Sequence, residues 1–180
     1  MKTDLKCIDI EKATVALILL IWYATATQIG YEPNTFHPQS HLMSIFSHAN
    51  IWHLLGNVFV LYCLRKFPII PATIIAFVVS FIPTFGNLWC VVGLEDMGIT
   101  MGFSGVIFAM LGIMWGKHIR AYYDKHWCYG LDALEEFSVK MLPWAVVGFI
   151  IPRVNWELHF YALIVGVLYG FFRPWLRLRT

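Results

Sequence analysis

Apolar residues run through this chain in long blocks, and polar and turn-forming residues collect in the breaks between them. Six blocks can be read, over residues 13–30, 51–64, 69–85, 103–115, 141–151 and 158–172. Each is read as a helix. Several fall short of the ~20 residues that carry a helix across ~30 Å of hydrocarbon. Flanking residues must then enter the membrane, or the bilayer must thin locally. Polar or irregular backbone at such depth is tolerated only where protein or a wet cavity surrounds it. The short blocks thus hint at an internal aqueous site.

Composition turns the helical reading into a membrane reading. The chain is 59% hydrophobic and only 13% charged, with a mean hydropathy of +0.66. Soluble domains run at roughly 45–50% apolar and about 25% charged. A generous soluble core does not explain that gap, so the expected fold is an all-α polytopic membrane protein, one domain over residues 1–180. The first block follows Lys2, Lys6 and Lys12 and has no small-residue cleavage site after it, so it is read as a retained helix rather than a signal peptide.

The distribution of cations sets the expected orientation. Lys2, Lys6, Lys12, Arg65, Lys66, Lys117, Arg120, Lys125, Lys140, Arg173, Arg177 and Arg179 share one side if the spans alternate, and only Arg153 lies opposite. The positive-inside rule then places both termini in the cytoplasm. The outer segment over 31–47 has no Lys or Arg. The inner segment over 117–140 mixes charges with Tyr122, Tyr123, Trp127 and Tyr129, suited to an interfacial belt, and 131–137 could form a short surface helix. Cys7, Cys63, Cys90 and Cys128 show no metal-ligand spacing and no disulfide framework. No metal, cofactor or nucleic-acid partner is expected.

The informative residues are polar ones inside apolar blocks, since ionisable groups there are costly and face a bundle interior or a cavity. His53 and Asn57 lie in the second block, Ser104 in the fourth and His159 in the sixth. These blocks all run from outside to inside, and all three of His53, Ser104 and His159 fall in their first turns. At 1.5 Å per residue they lie within about 10 Å of the outer boundary. Asn57 follows His53 by four residues, on the same helix face. Singly, each has a plain explanation: a membrane serine bonds a carbonyl one turn back, an asparagine joins helices. Four groups on three helices at one depth suggest a shared site.

Ser104 sits in Gly102-Phe103-Ser104-Gly105, at the opening of an apolar helix. Flanking glycines permit a sharp turn and close backbone approach, and a helix N-terminus offers free N–H groups suited to an oxyanion. The G-x-S-x-G elbow of α/β-hydrolases does not fit, because Val106 occupies the last glycine position. A serine hydroxyl needs a positioned base, and His159 is the histidine expected at the same depth on a later helix. Glu157 points to another helix face, so a dyad is expected rather than a triad.

These residues resemble the rhomboid intramembrane serine proteases. Gly102-Phe103-Ser104-Gly105 is similar to their GxSG motif, and His159 to their base. The stretch from His48 through His53 to Asn57 resembles the family segment of two histidines followed by an asparagine. The resemblance covers the chain from about Ala13 to Phe172. It implies a six-helix bundle, a Ser104–His159 dyad, and an oxyanion hole formed by His53, Asn57 and the Ser104 N–H. It also implies transmembrane substrates in the lipid bilayer, cut near the outer face of a cell membrane. There are departures. Small positions after the base are Ala162, Gly166 and Gly170 rather than the usual glycine pair, and Phe108 stands where many members stack a tyrosine on the histidine. The outer loop lacks a Trp-Arg pair, and the inner loop between the fourth and fifth blocks is long. The competing readings are an inactive rhomboid-like protein that binds transmembrane helices, and a small transporter.

Overall fold

A computed structural model of the chain describes residues 10–32, 36–64, 68–82, 99–124 and 155–173. They form six helices: α1 (Ile10–Thr25), α2 (Pro38–Ser44), α3 (Ile51–Cys63), α4 (Ile69–Val79), α5 (Ser104–Tyr123) and α6 (Trp156–Phe172). Among the described residues the only β pairing is an isolated antiparallel bridge, Tyr31 to Thr100. It joins the chain after α1 to the chain before α5. The block expected over 141–151, the segment over 131–137 and most of the cations behind the orientation argument lie outside the described residues.

Helix ends depart from the apolar blocks for local reasons. α1 stops at Thr25 rather than running on to residue 30, and the Gln28 amide donates to the carbonyls of Tyr23 and Ala26. α4 stops at Val79, where Ser80 turns its hydroxyl back onto the Phe77 carbonyl. α5 continues past Trp115 to Tyr123. Its apolar run ends there, but Lys117, Arg120 and Ala121 are good helix formers and carry it on. α2 falls in a segment that showed no helical period. Its first residue is Pro38, whose fixed φ and missing N–H suit that position.

α5 is the central element. Every residue from Gly105 to Ile113 is buried, as expected for a helix apolar on all sides. It packs on α6, α4 and α3, while α1 lies against α3. α5 and α6 run parallel: Ser104 meets His159 at one end, and Arg120 lies over the Phe171 ring at the other. α4 runs the opposite way, bringing Ser80 beside His41 at the Ser104 end.

The outward faces are apolar. Leu55, Phe59 and Tyr62 on α3, Ile70, Ile74 and Val78 on α4, and Phe160, Ile164, Leu168 and Phe172 on α6 are all exposed. Such stripes, spaced by three or four residues, exceed what soluble monomers usually show. Among the described residues no helix is long and apolar enough to cross a membrane. The longest, α5, carries Lys117, His118 and Arg120 in its final turns.

Candidate active site

The site is assembled where α3, α5 and α6 begin. Asn50 caps α3, its side-chain oxygen accepting the His53 N–H at 2.9 Å. That bond satisfies one of the donors a helix start leaves open. His53 and Asn57 then project from one face toward Gly102. Gly102 has φ +125°, and a Cβ there would lie 2.6 Å from His53 Cε1 and 2.8 Å from His53 Nε2. Only glycine meets both conditions, the positive φ and the missing volume. Asn57 is buried, and its Nδ2 has no hydrogen-bond partner among the described residues.

The turn before Ser104 rests on the chain just after α2. The Gly102 N–H donates to the Ser44 carbonyl at 2.8 Å, and the Phe103 N–H points to His48 Nε2 at 3.5 Å. His48 is fully buried, with Nδ1 3.0 Å from the Phe46 carbonyl. A carbonyl only accepts, so Nδ1 carries the proton and Nε2 is left as the acceptor. Burial, assisted by neighbouring His53, lowers His48 to about 4, so it stays neutral near pH 7. Its ring also meets His53 edge-on at 5.1 Å.

Ser104 opens α5, and its hydroxyl lies 2.7 Å from His159 Nε2. Asn155 caps α6 by accepting the Leu158 N–H at 3.0 Å, while its own amide donates to Thr100 Oγ1 at 2.9 Å. Those two bonds tie the start of α6 to the chain that leads into Ser104. His159 is buried and stacks on Phe108, with ring centroids 4.2 Å apart and planes 10° from parallel. Leu158 packs onto Gly105, where a Cβ would come within 3.1 Å of Leu158 Cδ2. Further along, Gly112 and Gly116 of α5 abut the backbone of Leu163 and Val167, and Gly166 and Gly170 of α6 abut that of Ala109 and Ile113.

The structure therefore brings together Ser104, His159 and Phe108 on one side, and His53, Asn57 and Gly102 on the other. Gly105 and Gly166 lie in the α5–α6 contact. Sequence reasoning missed the two asparagine caps, although an Asn directly before an apolar helix is a start signal. It gave no separate role to His48. The Ser44 carbonyl left no trace to find, since any residue supplies one.

The fold is a helical bundle with an apolar exterior and a polar centre in which a serine hydroxyl lies on an imidazole. The Rhomboid domain family model matches residues 37–178, and the chain belongs to the rhomboid family. It is accordingly a membrane protein of a family made up largely of intramembrane serine proteases, with inactive members among them. No curated protein and no solved structure matches the chain.

Proposed function

We propose that this chain is an active intramembrane serine endopeptidase, with Ser104 as nucleophile and His159 as general base. The observation that carries the reading is the 2.7 Å approach of His159 Nε2 to the Ser104 hydroxyl, within the range a base needs to take a proton. His159 Nε2 removes that proton as Oγ attacks the substrate carbonyl. The oxyanion that forms is met by the Ser104 N–H, the Asn57 amide and the His53 ring. The open state of Asn57 Nδ2 favours this, because an amide committed elsewhere is no donor. His159 then passes the proton to the leaving amine as the C–N bond breaks, and water entering from the outer face hydrolyses the acyl-enzyme by the reverse path.

The bilayer arrangement belongs to the same proposal: six spans, both termini cytoplasmic, multi-pass in the cell membrane. Parallel α5 and α6, with Lys117, Arg120 and Arg173 at the end away from Ser104, support that orientation under the positive-inside rule. Substrates are transmembrane segments of other proteins, opened near the outer face where a helix can unwind. The test is purified protein in liposomes with a fluorophosphonate probe and a model transmembrane substrate. The parent chain labels and cleaves, and Ser104→Ala does neither. Equal labelling of Ser104→Ala would remove Ser104 as the nucleophile.

A further inference from the structure

Glu157, second residue of α6, is 7% exposed, and its Oε2 has no hydrogen-bond partner among the described residues. A carboxylate in the first turn gains from the helix dipole, but that accounts for its position and not for its burial. Leaving a buried acceptor unmet is unfavourable, more so when it is charged. Glu157 lines a partly open cavity of about 10 Å³ with Tyr31, Ser80, Asn155 and Tyr161. Two of those neighbours are committed elsewhere. Ser80 Oγ donates to the Phe77 carbonyl and lies 2.8 Å from His41 Nδ1. Asn155 uses its amide on Thr100 and its oxygen on the Leu158 N–H. Among the described residues no group complements Glu157 Oε2.

Size and lining define the visitor. A space of this volume holds about one water-sized group. An ammonium head fits that description, and a planar guanidinium with five donors does not. Val79, Ile82 and Leu158 supply an apolar wall against which a methylene stem can lie. The cavity is also close to the proposed chemistry. Leu158 packs onto Gly105, the residue after Ser104, and His159 follows on the same turn.

We propose that Glu157 is a specificity-determining residue whose carboxylate takes the ammonium group of a substrate lysine a few residues from the scissile bond. The proposal rests on the protease reading, and its test separates the two. A single lysine is moved through the outer portion of a synthetic transmembrane substrate, with norleucine and arginine peptides matched at each position. In the parent chain kcat/KM peaks at one lysine position, about ten- to hundredfold above norleucine, as suits a hydrogen bond to a charged group. Arginine at that position is cleaved less well than lysine. Within Glu157→Gln the lysine-to-norleucine ratio falls to about one, and within Glu157→Lys a glutamate-bearing substrate becomes preferred. A flat lysine profile in the parent, or an unchanged ratio in Glu157→Gln, overturns the proposal. If Glu157→Gln does not fold, the parent profile alone decides. If no peptide is cleaved at all, the protease reading falls, and fluorescence anisotropy of the same peptides on Ser104→Ala still reads the lysine preference directly.

Discussion

The contact between α5 and α6 has two halves built on opposite principles. In the half near the helix starts, side chains meet: Ser104 on His159, and His159 on Phe108. In the other half side chains are missing, and Gly112, Gly116, Gly166 and Gly170 let backbone touch backbone. The second half sets the separation of the helices, and the first uses it. A serine hydroxyl reaches an imidazole at 2.7 Å only if the two axes are held that close, and no adjustment of a short serine side chain recovers an added ångström.

Variants in the two halves should fail differently. The largest effect is expected from His159→Ala, which lowers cleavage by about 10⁴-fold or more, with a drop in the thermal unfolding midpoint from the lost stack on Phe108 that is far too small to account for it. Asn57→Ala comes next, lowering kcat by about 10²–10³ with KM little changed, as loss of one oxyanion donor does. Gly112→Val acts from the glycine half. It forces the backbones apart, lowers activity by about 10²-fold through misplacement and lowers the unfolding midpoint more than the first two do. A Gly112→Val chain with full activity would mean that helix separation is not set there. Phe108→Leu is the mildest. It removes an aromatic contact of about 0.5–1.5 kcal/mol, a few-fold effect on kcat, and Phe108→Tyr retains the stack and the rate.

The polar half was far more legible in the sequence than the supports around it. Ser104, His159, His53 and Asn57 stood out because they interrupt apolar blocks, and blocks running in the same direction put them at one depth. Phe108 followed from the family pattern. What stayed hidden depends on backbone or on side chains acting across long separations. The Ser44 carbonyl under Gly102 and the Asn155–Thr100 bond between the starts of α5 and α6 leave no periodic signal. α2 was invisible because a seven-residue polar helix shows no recurring apolar face. The far end of α5 was misjudged for the reverse reason, since charge ends an apolar run without ending a helix.

The chain between α1 and α3 makes the site sensitive to something remote from it. Ser47 Oγ accepts from the Trp22 indole at 3.2 Å and from the Ile29 N–H at 3.0 Å. Gln28 Oε1 accepts the His48 N–H at 2.8 Å, and His48 faces the Phe103 N–H just ahead of Ser104. α1 lies before the matched family domain, yet these bonds link it to the turn that bears Ser104. In mechanical terms the coupling is a strut rather than a hinge. Movement of α1 is therefore carried through Ser47 and His48 to the turn bearing Ser104.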